Sequence, residues 1–164
     1  MIRPLLGLLL VGGIFMAKAR ATTEPTILFE ADKTLLTTTV RIVLSVGSTS
    51  DPAGKGGVAN LASELSLRGT KKRTRNEFQS ALERMGAAFD VVVGHDKIVY
   101  SGEVIKENTE AFFKLIQETL TQPAFGKKEF TALKKETLAE INHVKNNNGA
   151  LAGLALRKVF FEGT

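Results

Sequence analysis

Few residues in this chain could do chemistry. Two histidines, His95 and His143, are present and cysteine is absent, so thiolate metal sites, thiol nucleophiles and disulfide frameworks are excluded. His143 follows Glu140 by three positions, the Glu-x-x-His spacing of di-iron bundles, but such a centre needs a second copy and further glutamates. His95 falls in Gly94-His95-Asp96-Lys97, where it reads as a solvated turn residue and not a ligand. Serine or threonine nucleophiles require a positioned base, and no nucleophile-elbow sequence occurs. Gly54-Lys55-Gly56-Gly57 superficially resembles a phosphate loop, yet it lacks the GxxxxGK[ST] spacing and reads as a bend from strand into helix.

The elements around these residues follow from periodicity. Thr37 to Val46 alternates, with Val40, Ile42, Leu44 and Val46 on one face, as in a half-buried strand. Ile27-Leu28-Phe29 is expected to pair with it across Asp32-Lys33. Asp51-Pro52-Ala53-Gly54-Lys55-Gly56-Gly57 forbids regular structure and marks a tight loop. After it a helix carries Val58, Leu61 and Leu65 on one stripe and ends at Gly69, a left-handed stop. A second helix has a capping box, Thr74 with Glu77, and an apolar stripe of Phe78, Ala81, Leu82 and Met85, with Gly86 as its stop. Ala88 to Val93 and Ile98 to Val104 read as an antiparallel hairpin. Asn108 caps a helix bearing Phe112, Leu115, Ile116 and Leu120, which Pro123 breaks. A long helix from Lys127 to about Asn146 stops at Asn146-Asn147-Asn148-Gly149, and a last one runs from Ala150 to about Phe161. This order predicts an α+β fold, an antiparallel sheet with helices packed on one face.

With 43% hydrophobic and 24% charged residues, the composition is that of a globular domain. Residues 1–21 read as a signal peptide: Arg3, an apolar run from Leu5 to Ala17, then Ala19-Arg20-Ala21 as the cleavage site. The run is short of the roughly 20 residues needed to span a bilayer. Left uncleaved, this leader would provide membrane association. The formal charge of +5 includes Arg3, Lys18 and Arg20; without them 19 of the 22 basic residues face 17 acidic ones. That balance excludes nucleic acid as an expected partner.

One stretch carries a family likeness. Gly56-Gly57-Val58-Ala59-Asn60-Leu61-Ala62-Ser63-Glu64-Leu65-Ser66-Leu67-Arg68-Gly69-Thr70 resembles the zinc-site helix of the insulinase and mitochondrial processing peptidase (M16-type) metallopeptidases, where a Gly-rich turn leads into H-x-x-E-H and the helix closes with Gly-Thr. The likeness extends over nearly all of residues 22–164: Val46-Gly47-Ser48 with Asp51-Pro52, and Met85-Gly86-Ala87 through Asp96 and Tyr100, are similar to family segments. It implies an insulinase-type (LuxS-MPP-like) α/β sandwich, with this chain supplying most of an N-terminal domain, incomplete at its C-terminal end. The family's histidines fall on Asn60 and Glu64, its glutamate on Ser63, and its third ligand on Glu140. Asparagine is a neutral oxygen donor poorly matched to zinc, and serine cannot act as the carboxylate base. Glu140 shares a stripe with Leu133, Thr137 and Val144, which suggests partial burial or a pairing with Lys135 or Lys145. Asn60, Glu64 and Glu140 together would offer a hard cation only three oxygen ligands. Asp90 and Val91 replace the family's Asn-Ala.

The resemblance therefore implies a degenerate zinc site with no catalytic residue, no bound metal and no cofactor of its own, zinc residing in an active partner subunit. The expected function is that of a catalytically inactive homologue, the non-catalytic subunit or half of a periplasmic zinc-peptidase complex that encloses unstructured peptides. Its heterodimer partner would be a zinc-bearing relative. The edge strand Asp90, Val91, Val92 and Val93 is the expected peptide-binding element, by strand addition. A structural or peptide-binding scaffold without any peptidase partner is the alternative.

Overall fold

The central strand carries the core. In β3, Ile98–Ile105, the residues Ile98, Tyr100, Gly102 and Val104 are buried while their neighbours are less so, the two-residue period of a strand covered on one face. The computed structural model describes residues 26–32, 34–145, 149, 151–153 and 155–156. It divides into two units, Met1–Asp32 and Lys33–Thr164. The second contains β1 (Thr37–Leu44), α1 (Val58–Ser66), α2 (Arg75–Met85), β2 (Ala88–Val93), β3, α3 (Thr109–Thr121) and α4 (Lys127–Lys145).

The three strands form one antiparallel sheet in the order β1-β3-β2. The register stacks Val40, Gly102 and Phe89 in one row and Ile42, Tyr100 and Val91 in the next. These rows face the helices, and Phe78, Leu82, Phe112, Leu115 and Ile116 complete the core over them. The Phe89 ring stacks on Tyr100 and meets Phe112 edge-on, both at 5.8 Å between centroids, a geometry that adds to burial. Gly102 lies under this cluster: a Cβ there would approach the Phe112 ring to 2.6 Å. The opposite sheet face carries the row Arg41-Ser101-Asp90. The expected α+β class, with an antiparallel sheet covered on one face, is what forms.

Several local expectations change. Residues 26–32 hold no strand, and Ile27, Leu28 and Phe29 are exposed; the alternation of β1 finds its partner in β3 along all eight of its residues. β1 stops at Leu44, because the chain turns to hydrogen-bond the β2–β3 connection through Ser48 N–H to the Gly94 carbonyl and Thr49 N–H to that of His95, each at 3.0 Å. Val58 is exposed, and α1 instead buries Ser63, Leu65 and Ser66. Asn108 does not cap α3: its amide donates to the Met85 carbonyl at 3.0 Å, tying α3 to the end of α2. The expected leader at residues 1–21, residues 146–148 of the expected Asn146-Asn147-Asn148-Gly149 stop and residues 157–161 of the last helix lie outside the described residues, while Gly149 of that stop is helical. Residues 149, 151–153 and 155–156 are helical. No described helix is long and apolar enough to cross a membrane.

Candidate functional site

α1 is placed by a residue remote from it. The Asp51 carboxylate accepts from Gly57 N–H at 2.7 Å and from Ala59 N–H at 2.8 Å, satisfying donors at the helix start that have no partner within the helix. Gly57 adopts φ 94°, which only glycine takes at little cost, so the loop can close around Asp51. The helix start that a phosphate loop would offer to an anion is thus filled by the chain's own carboxylate. The α1 exit is equally specific: Gly69 has φ 117°, and a Cβ there would come within 2.9 Å of the Arg73 carbonyl.

Asn60 and Glu64 stand one turn apart, both half-buried, and the Asn60 amide donates to the Glu64 carboxylate at 2.8 Å. Ser63 points to the other side of the helix and is 4% exposed. Its carbonyl accepts from Ser66 Oγ at 2.6 Å, and Ser66 Oγ lies 3.2 Å from the Tyr100 hydroxyl. The three positions are therefore divided between two faces. A further turn along, Arg68 makes a two-pronged contact with Glu136 on α4, at 2.5 and 3.3 Å. The hydrogen bond to Glu136, reinforced by that carboxylate's charge and by Glu64, holds the guanidinium more firmly in its charged form against the cost of burial.

Glu140 is exposed on α4 and not partly buried as its stripe suggests, although Leu133 in that stripe is fully buried. Among the described residues no hydrogen bond or ion pair joins it to Asn60, to Glu64 or to Lys135; the Lys145 side chain lies outside the described residues. The ion pair that does join α1 to α4 is formed one turn earlier on α4, by Glu136. His143 is exposed on α4, and His95 is an exposed turn residue whose carbonyl accepts from the Thr49 hydroxyl at 2.7 Å.

The donor chemistry does not fit zinc. Asn60 offers only a neutral amide oxygen while its Nδ2 donates to Glu64, Glu64 alone offers an anionic oxygen on this face, and Ser63 is inward with no acid-base capacity. No group of three or more histidine, aspartate or glutamate residues among those described could hold a metal ion.

β2 borders this region, packing against α1. It ends the described sheet, since only β3 pairs with it. Phe89, Val91 and Val93 face the helices; Asp90 and Val92 are exposed on the opposite face, with Asp90 across Ser101 from Arg41.

Two features carried no signal in the sequence: the Asp51 anchor, and a half-buried cluster in which Glu118 accepts from Thr70 and Arg73. Burial opposes ionisation of Glu118, and these two donors outweigh it, so its carboxyl sits below the usual range.

Comparison with known proteins agrees with this geometry. An uncharacterized zinc protease of Rickettsia bellii is 28% identical over 108 residues, covering 66% of this chain and 26% of its own length. The mitochondrial-processing peptidase subunit beta of Bos taurus is 22% identical over 116 residues, 71% of this chain and 24% of that protein. The solved structure of a peptidase M16 inactive domain from Pseudomonas fluorescens superposes with a TM-score of 0.70 at 27% identity, over 76% of this chain and 30% of its own. The chain thus spans about a quarter of the length of these curated relatives. The family model for insulinase, peptidase family M16, matches residues 26–163, and the chain belongs to that family.

Proposed function

We propose that this chain is a catalytically incompetent member of the peptidase family, serving as the non-catalytic subunit or half of a complex that encloses peptides for a zinc-bearing relative. The observation that carries the reading is the Asn60–Glu64 hydrogen bond on one face of α1 with Ser63 turned into the core. Hydrolysis through a metal-bound water needs three ligands and a nearby base, and α1 supplies one ligand and no base. The zinc would reside in the partner. Being named a subunit, the bovine relative lends support to a paired arrangement.

Peptide would bind along Asp90–Val93. Main-chain hydrogen bonds to an open strand edge give affinity that tolerates many sequences, as suits a subunit that holds substrate without cutting it. The leader would direct the protein out of the cytoplasm, into a bacterial periplasm.

Affinity purification of the full-length product from its native envelope, with metal analysis, tests the proposal. The expected result is a complex containing a zinc peptidase, together with less than stoichiometric zinc and no peptide cleavage by this chain alone. Stoichiometric, tightly held zinc in the isolated chain, with cleavage abolished by Glu64→Ala, overturns it. Isolation as a lone monomer without any peptidase would transfer the support to a scaffold.

A further inference from the structure

The segment between α1 and α2 concentrates positive charge that the near-neutral balance of the chain conceals. Residues 68–75 read Arg-Gly-Thr-Lys-Lys-Arg-Thr-Arg, five cations without one carboxylate. The loop is held rigidly against the α3–α4 connection: Lys71 N–H donates to the Gln122 carbonyl at 2.9 Å, Ala124 N–H to that of Gly69 at 3.1 Å, and Thr70 N–H to that of Arg73 at 2.8 Å. Between the two connections lies a cleft of about 350 Å³ lined by all five cations.

Two carboxylates, Glu77 and Glu129, also line the cleft, and they and the neighbouring acids are already engaged. Glu77 accepts from the Thr74 N–H and hydroxyl, both at 2.8 Å. Glu129 pairs with Arg75 at 3.5 Å, Glu118 with Arg73, and Glu136 with Arg68. Lys71 and Lys72 line the same cleft, exposed, and neither makes an ion pair with a carboxylate among the described residues. Lys72 reaches Glu118 only through its longer-range field. Three arginines anchored by acids and two lysines without such partners form a fixed concave cationic surface, and the chemistry that answers it is a compact multivalent oxyanion.

We propose that this cleft binds a phosphoryl group carrying two or more negative charges, with Lys71 and Lys72 as its principal contacts. The anchored guanidiniums set the field, and the lysines supply movable donors. Such a group could arrive as free inorganic phosphate species or as the phosphate tail of a nucleotide; the recognised chemistry is the same.

Calorimetric titration of the full chain at low ionic strength with inorganic pyrophosphate tests this. Saturable one-to-one binding is expected, weakened at least about tenfold in Lys71→Gln/Lys72→Gln, where two charge-assisted contacts are lost. The thermal midpoint of that variant should match wild type, since both side chains are exposed. Lys127→Gln/Lys128→Gln, which removes two nearby cations that do not line the cleft, should bind as wild type does. Titration with adenosine diphosphate separates the sources: affinity equal to that of pyrophosphate assigns recognition to the phosphates alone, and tighter binding assigns it to a nucleotide. Absence of saturable pyrophosphate binding, or binding unchanged within twofold in the Lys71/Lys72 variant, overturns the proposal.

Discussion

α1 and α2 are consecutive helices of similar length held in opposite ways. α2 is specified by its own residues: Thr74 and Glu77 close a capping box, Phe78 and Leu82 enter the core, and Gly86 at φ 58° ends the helix. α1 begins without a capping side chain from the residue before it. Its start is held by Asp51, six and eight residues from the groups it serves, and its end is tied to α4 through Arg68 and Glu136. α1 thus depends on distant parts of the chain, whereas its neighbour is fixed locally. A segment secured from outside keeps its place when its own exposed residues change.

The sharpest way to break this contrast is to strike the residues that α2 sends into the core. Phe78→Ala should destabilise by about 3–5 kcal/mol, the range for truncating a buried aromatic, with a marked fall in the urea midpoint. A loss under about 1 kcal/mol would mean that α2 contributes little to the core. The two helix starts offer a direct comparison. Asp51→Ala removes two backbone contacts and should cost about 2 kcal/mol, while Thr74→Ala should cost about 1 kcal/mol. Hydrogen exchange should accelerate in α1 for the first and in α2 for the second. Faster exchange in both helices from either substitution would erase the distinction between remote and local anchoring.

The smallest effect concerns pH. The Glu118 carboxyl is held below its usual value of 4.5, so its contribution is present above that value and is lost as pH falls through the lower folded-state value. Unfolding free energy measured from about pH 6 down to about pH 3 should decline less steeply in Glu118→Gln than in wild type. The slope should not vanish, because hydrogen bonds lower the carboxyls of Glu77 and Glu136 as well. An identical slope in the variant would remove Glu118 from the acid response.

The three strands that form and α2 were legible because their signals are local: alternation over consecutive residues, and a cap three positions from its partner; Ile27-Leu28-Phe29, apolar without alternation, forms no strand. Asn108 and Asp51 show where that logic ends. Asn108 stands where a cap would, yet its amide goes to Met85; Asp51 stands apart from its helix and caps it. In both cases the partner is chosen by the path of the chain through space. At the site, Asn60 and Glu64 could be placed on one helical face from their spacing. The Arg68–Glu136 pair arises from the packing of α1 on α4, which no local pattern encodes. The cationic loop was hidden by averaging, since a net charge blends five clustered cations with carboxylates spread over the rest of the chain.

Gly102 shows how much a missing side chain can settle. With the Phe112 ring lying against its backbone, the central strand has a notch one methyl deep, and α3 has one aromatic key that enters it. Filling the notch, as in Gly102→Ala, would lift the helix from the sheet or force the ring to turn. Strand and helix are therefore matched in shape at this point, and a change on one side requires a compensating change on the other.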